Sequence, residues 1–537
     1  MLRALAPPLL AVLVLAAGPL PLVRPVAAAE TASDAALKTL LQGDGELKLA
    51  GRTLDRELLS QFYDARADAP IWLGEGDRAA ALERALAGAA AQGLDPADFV
   101  VPHAPPAERE LLLTDAFLRY AAALAQGRVS SAAIESDWSI PQPRFDAASV
   151  LAAAAQGDPE TVLQSLAPAH PAYKRLQAAL EHYRALAAAG GWRRLSESGK
   201  LQLGDNGPAV EQLRQRLIAE GFLSADAIGP EFDGDVDAAV RRFQAQHGIA
   251  IDGTVGPATY VALNVSVAAR IEQIRDNLER WRELPRVLPA NRIEVNVPGA
   301  WLTVFEHGEP GLGMRAIVGA EGHPTPVLRA WMSAVLFNPP WRIPDSIAQK
   351  EILPRLKHDP HYLERNHYVY VGAPGHLPLK QLPGPDNALG RIKFELPNIY
   401  DVYLHDTPSH PLFSRVIRTL SHGCVRLEEP RQLALYVLGR AKTTWSLQDI
   451  DGAIAEGDTR RVPLTHGIPV YLLYWTAFVD PDGTMEFRDD IYGRDVRLEA
   501  ALAVRDAEDR IARASGKSAR AILGPAGIAP SNKTAAK

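Results

Sequence analysis

The sequence predicts a multidomain α+β protein: a helical N-terminal part, a small three-helix module and a mainly β C-terminal part. Three observations carry this expectation. A chain of 537 residues has room for roughly three or four domains. Apolar residues recur at helical spacing before about residue 285 and with a period of two after it. The hydrophobic fraction of 47% is enough to fill several cores.

The chain opens with one basic residue (Arg3), an apolar run from Ala4 to Ala17 and a small-residue stretch Ala27-Ala28-Ala29. That order predicts a signal peptide over 1–29, cleaved near Ala29, and hence export. The alternative is an uncut membrane anchor. The run is short for a span of about 20 residues, and Pro7 and Pro8 interrupt it. The net charge of −7 leaves no electrostatic case for nucleic-acid binding.

Residues 30–197 read as a helical scaffold domain. Leu113, Phe117, Tyr120 and Leu124 form one helical stripe, and Tyr173, Leu176, Leu180 and Tyr183 form another, ended by Gly190-Gly191. Residues 198–265 form a compact unit. Val210, Leu213 and Leu217 mark its first helix, Val236, Val240 and Phe243 its second, and "AIDGTVGPATYVAL" a turn and a third. Its Val210 with Leu213, Ala239-Val240 with Phe243-Gln244, Asp252-Gly253, Gly256, Thr259 and Leu263 resemble the type 1 peptidoglycan-binding domain. The alternative is a module that only packs against its neighbours, since a fold does not guarantee a retained site.

A helical connector is expected over 266–285. From 286 to 495 the pattern is mainly β. Ile293, Val295 and Val297 alternate as in a half-buried strand, and "WLTVFEHGEPGLGMRAIVG" reads as strands joined by Gly-Pro turns. Asp480-Pro481-Asp482-Gly483 is a hairpin turn, and 429–440 a helical insert. A Pro/Gly-rich stretch at about 345–400 is expected to cap a cleft. A C-terminal helix and loose tail fill 496–537.

The only cysteine, Cys424, sits in "TLSHGCVR". A lone cysteine in an oxidising compartment is a buried residue, an intermolecular link or a working thiol. A thiol of ordinary acidity is only a few per cent ionised at neutral pH, so chemistry there needs a base. His422, two residues before it, and His405, nineteen before it, are the candidates. Spacing alone does not choose between them. If a strand carrying His405 pairs with the segment leading to Cys424, the imidazole can cross to the sulfur, giving an activated nucleophile. Gly423 permits a sharp turn that aims backbone N–H groups at one point, as an oxyanion requires. Two other readings stay open: an inert buried cysteine, and a metal site built from His405, Asp406, His410, His422 and Cys424. That set lacks the HExxH or paired CxxC spacing.

"HDTP" at 405–408 followed by "SHGCVR" at 421–426 closely resembles the signature of the L,D-transpeptidases, cysteine enzymes of bacterial cell-wall cross-linking. "IVGAEGHPTPVL" (317–328), "FNPPWRIP" (337–344) and "QLPGPDNALGRIKFELPN" (381–398) are similar to further stretches of that family. "FYDARADAPIW" and "LLLTDAFLRYA" resemble the scaffold of its large periplasmic members. The resemblance implies Cys424 as nucleophile and His405 as general base. It implies oxyanion or positioning roles for Ser421, His422, Gly423 and Arg426, and pocket walls at Tyr403 and Trp341, the last equally explained as core. It implies 3→3 cross-linking of stem peptides through a thioester with release of D-alanine. L,D-carboxypeptidation, D-amino-acid exchange and a non-catalytic wall-binding scaffold are the alternatives. It further implies a periplasmic location, no cofactor and no metal, and acylation by carbapenems. The partners it implies are stem peptides and glycan strands, together with other cell-wall synthesis proteins.

Overall fold

The computed structural model describes residues 32–73, 77–196, 199–372, 377–439 and 445–515. The expected signal peptide over 1–29 and the tail beyond 515 lie outside the described residues. In the N-terminal part, helix Pro106–Gln126 buries Leu113, Phe117, Tyr120 and Leu124, as one stripe requires. It also buries Leu112, Leu118, Ala121 and Ala122. A helix buried over so much of its surface belongs at a centre, and helices Arg78–Ala87, Ala147–Gln156 and Pro159–Leu166 pack around it. Its buried acid, Glu110, accepts the backbone N–H groups of Ile71, Trp72 and Leu73 at 2.6, 3.1 and 3.0 Å. The acid thereby fixes an otherwise irregular segment.

The second stripe behaves differently. Tyr173, Leu176, Leu180 and Tyr183 of helix Pro171–Ala188 are buried against Ile274, Leu278 and Trp281 of helix Val267–Arg282, in the same core as the C-terminal sheet. The last scaffold helix and the connector therefore form part of the β domain's packing. Helix Val267–Arg282 carries several buried charges, among them Arg280, paired with Asp495 at 2.6 Å, and Arg282, paired with Glu279 at 2.5 Å. The following Glu283 accepts Ser131 N–H and Oγ–H at 2.7 and 2.5 Å. Between them lies the three-helix module, with helices Pro208–Ala219, Gly234–Gln246 and Pro257–Leu263. Val210, Leu213, Leu217, Val236, Val240 and Phe243 are all in its core.

The C-terminal part is built on a nine-stranded sheet. In spatial order its strands are Thr419–Ser421, Glu309–Gly319, Val425–Leu427, Leu404–His405, Ile392–Glu395, Leu328–Phe337, Arg460–Leu473, Arg292–Asn296 and Trp301–Glu306. The last strand also pairs with Glu309–Gly319, which closes the sheet on itself. The expected Gly-Pro turn lies elsewhere: the hairpin turns at His307-Gly308, both at positive φ, and Pro310 is inside the strand opposite Phe305. Asp480–Gly483 does join strands Ala477–Val479 and Met485–Phe487.

The insert has a small fold of its own. Strands Trp341–Arg342, Leu379–Gln381 and Tyr368–Tyr370 form a sheet, over which short helical turns bury Ile343, Ala348, Ile352 and Leu379. It thus begins at Trp341, earlier than the sequence indicates. It ends before Ile392, because Ile392 and Phe394 alternate inward as a strand of the main sheet.

Candidate active site

Strand Leu404–His405 runs parallel to Val425–Leu427, with Leu404 opposite Val425 and His405 opposite Arg426. The His405 strand thus pairs with the segment that follows Cys424, not with the one that leads to it. Leu404 and Val425 are fully buried. Side chains alternate along a strand, so Tyr403, His405, Cys424 and Arg426 all take the other face. That face opens into a cavity of about 1310 Å³. Strand Ile392–Glu395 flanks the other side, with Lys393 opposite His405. Lys393, His405 and Arg426 therefore form a row across three strands.

Cys424 is half-buried. Its sulfur lies 3.9 Å from the Asp401 carbonyl and receives hydrogen bonds from the Tyr403 backbone N–H and hydroxyl. Burial pushes the thiol's pKa up, while the Tyr403 donors and the charges of Lys393 and Arg426 pull it back. The net shift is upward, so the resting group is the thiol and the need for a base stands.

His405 is buried, and its Nδ1 lies 2.5 Å from the Asp406 carbonyl oxygen. A carbonyl only accepts, so Nδ1 carries the proton and Nε2 keeps the lone pair. Burial, then the Arg426 charge, push the imidazole down to about 3, against the pull of the Asp406 and Leu389 carbonyls. The imidazole is therefore neutral near neutral pH. Asp406 is itself held, its carboxylate accepting Arg391 N–H and Thr407 N–H, both at 2.7 Å. Gly390, at φ +63, is needed here: a Cβ on it would lie 2.3 Å from the Asp406 carboxyl carbon.

The loop carrying Cys424 is cross-braced. Ser421 Oγ donates to the Cys424 carbonyl at 2.5 Å and accepts the Gly423 N–H at 3.1 Å, with Gly423 at φ +106. The Gly423 amide is thus committed within the loop. Thr325, fully buried, donates from Oγ1 to the Gly423 carbonyl at 2.8 Å and accepts the Gly319 N–H at 2.8 Å. Thr325→Val keeps the shape and strands both groups. We expect it to cost about 2–5 kcal/mol and to slow chemistry at Cys424, as read by denaturant unfolding and thiol alkylation.

The His422 side chain reaches across to the insert. Its Nε2 lies 2.6 Å from Glu351 Oε1 of the insert, and its ring centre 5.0 Å from that of His323. Trp341 has both roles the sequence left open: it packs on the insert's core and lines the cavity, its indole bonding the Tyr403 hydroxyl. Burial, then the Cys424 charge, push the Tyr403 hydroxyl well up.

Sequence reasoning missed Lys393, whose Nζ sits 3.7 Å from the centre of the Tyr403 ring. The alternation of inward Ile392 and Phe394 was the signal that could have placed it on the cavity face. Thr325 and Glu351 were also missed. The first stands inside a quoted motif, whereas the second carries no local signal.

Residues 290–462 match a family model described as "L,D-transpeptidase catalytic domain", residues 57–180 one described as "Scaffold domain", and residues 206–263 one described as "Putative peptidoglycan binding domain". A Haemophilus influenzae protein named "Putative L,D-transpeptidase" is 33% identical over 247 residues, covering 43% of this chain and 49% of that protein. The "Zinc D-Ala-D-Ala carboxypeptidase" of Streptomyces albus G is 44% identical over 64 residues, 12% of this chain and 25% of that protein. The chain spans about half the length, or less, of these curated relatives. Among solved structures, an L,D-transpeptidase from Stackebrandtia nassauensis is 15% identical, with a TM-score of 0.22, covering 51% of this chain and 94% of that one.

Proposed function

We propose, from a chain whose residues 290–462 carry an L,D-transpeptidase catalytic domain, that it is a cysteine acyltransferase joining peptidoglycan stem peptides by 3→3 cross-links. The observation that carries this reading is the shared face of Cys424 and His405 on adjacent strands, opening into one cavity, with His405 Nε2 left unprotonated.

In this reading His405 Nε2 takes the thiol proton as the sulfur swings from Tyr403 towards it. Catalytic hydrogen bonds often tighten only once substrate is bound. The sulfur attacks the carbonyl that links the diamino acid of a tetrapeptide stem to its terminal D-alanine. The Cys424 and His422 backbone amides are the proposed oxyanion donors, since Ser421 engages that of Gly423. Collapse breaks the C–N bond, and the proton on His405 leaves with the D-alanine amine. A side-chain amine of a second stem then attacks the thioester. Water as acceptor would make the enzyme an L,D-carboxypeptidase, and a D-amino acid would make it an exchange enzyme. The cavity favours transfer: at about 1310 Å³ it exceeds the roughly 300–1,000 Å³ of a site for one small ligand. Tyr362 and Tyr368 of the insert line it, which supports a capping role that limits water.

The wall-directed substrate places the protein outside the cytoplasmic membrane, with the N-terminal leader delivering it to the periplasm. The three-helix module would hold glycan strands near the catalytic cavity. Incubation with a purified disaccharide-tetrapeptide tests the reading. Mass spectrometry should find the D-alanine-less acyl group on Cys424 and a cross-linked dimer in solution, and a carbapenem should label the same sulfur. A folded protein that takes neither adduct defeats it. Hydrolysed tripeptide without dimer would select the carboxypeptidase reading.

A further inference from the structure

The reaction above has two halves, and the row of residues around His405 serves only the first with ease. The acceptor is a primary amine, and such an amine, with a pKa near roughly 10.4, arrives protonated at neutral pH. It must lose a proton before its nitrogen can attack. His405 is poorly placed to take it. It is 4% exposed, its Nδ1 proton is committed to the Asp406 carbonyl, and it flanks the sulfur from the floor of the cavity.

A second imidazole, here paired with a carboxylate, lines the same cavity. Glu351 Oε1 lies 2.6 Å from His422 Nε2, with 45% of the Glu351 and 38% of the His422 side chain exposed. An ionised carboxylate only accepts, so Nε2 carries the proton and Nδ1 keeps the lone pair. This is the arrangement of a base held by a third group. The sequence distance across the pair is 71 residues. Glu351 sits in a π-helical turn at Ala348–Ile352, whose Ala348 and Ile352 are anchored in the insert's core. Such turns recur at functional sites. A solvent-exposed polar pair of this kind contributes little to stability, so fold maintenance is a weak reason for this geometry.

We infer that Glu351 and His422 form the acceptor station: the Glu351 carboxylate receives the acceptor's ammonium group, and His422 Nδ1 removes the proton that blocks attack on the Cys424 thioester. The inference rests on the acyl-transfer reading above. The proton taken from the ammonium passes through His422 to solvent. The neutral nitrogen then bonds to the thioester carbonyl carbon, the C–S bond breaks, and the second amine proton goes to the departing sulfur, restoring the thiol. The ligand class is thus a primary alkylamine that is cationic in solution. Contact between the insert and the nucleophile loop completes the site.

The test uses the full chain, acylated with tetrapeptide and then partitioned between water and a stem bearing a free side-chain amine. Hydroxylamine, uncharged at neutral pH, serves as a second acceptor. Both readouts are ratios on acyl-enzyme already formed. In Glu351→Gln the ratio of amine transfer to hydrolysis should fall about tenfold to a hundredfold. The preference for the charged amine over hydroxylamine should fall with it. Glu351→Asp should recover part of both. Unchanged ratios in Glu351→Gln overturn the inference. Equal losses with both acceptors also overturn it, since a merely structural effect on the cavity would not distinguish charge. A wild-type protein that never forms the thioester overturns the acyl-transfer reading itself, a different outcome from a thioester that forms and partitions indifferently.

Discussion

Cys424→Ser should fold like the wild type and release D-alanine from a tetrapeptide stem at least about 10³-fold more slowly. Folding is spared because the loop is not held by the sulfur. Ser421 and Thr325 brace it through the Cys424 and Gly423 carbonyls, and the sulfur's own contact with the Asp401 carbonyl, at 3.9 Å, is one a hydroxyl can replace. Activity is lost because the two nucleophiles differ in acidity. A half-buried thiol, even pushed up, is within reach of a neutral imidazole in the transition state. An alcohol is far less acidic, and an imidazole pushed down to about 3 gives little driving force for removing its proton. Thermal melting and D-alanine release, measured on the same preparation, check both halves. A serine variant that cross-links at the wild-type rate would remove the thiol from the mechanism.

That Cys424 needs a base was legible in the sequence, but spacing left more than one histidine open, and only the resemblance of "HDTP" and "SHGCVR" to a known signature singled out His405. How the two residues meet was not legible. Parallel pairing of Leu404–His405 with Val425–Leu427 depends on a crossover between them and on long-range contacts with Glu309–Gly319. Local periodicity does not encode such partners. The same limit explains helix Pro171–Ala188. Its stripe of Tyr173, Leu176, Leu180 and Tyr183 looks the same whether it faces other scaffold helices or, as here, the core of the β domain. Helix Pro106–Gln126 was easier to find than to place: its stripe was visible, but full burial is a property of its neighbours. Lys393 could have been found by alternation. Glu351 could not, since only the folded insert brings it across 71 residues to His422.

His405 has a second consequence, for stability. Unfolded, its imidazole takes up a proton near the ordinary value of 6.5, while folded it does so only near about 3, because burial and Arg426 oppose the charge. Between those values the unfolded chain binds more protons than the folded one, so stability rises with pH and is withdrawn as acid is added. The contribution is fully present above pH 6.5 and falls progressively down to about pH 3. Its limit is on the order of 5 kcal/mol. The same shift keeps the base unprotonated at pH 5, so the acid limb of acylation should lie well below that of an ordinary histidine. His405→Gln separates the two effects. Its amide can still donate to the Asp406 carbonyl but has no lone pair of comparable basicity, so acylation should fall about 10²–10⁴-fold. Glutamine does not titrate, so the catalytic part should lose less stability between pH 7 and pH 4 than the wild type does. His170, pushed down to about 4, and His247, also pushed down, remain in both proteins, so the difference isolates position 405. Denaturant midpoints at the two pH values, wild type against variant, measure it. Equal acid sensitivity in both would mean that His405 takes up its proton in the fold as readily as in the unfolded chain. The low acid limb expected for acylation would then be lost with it.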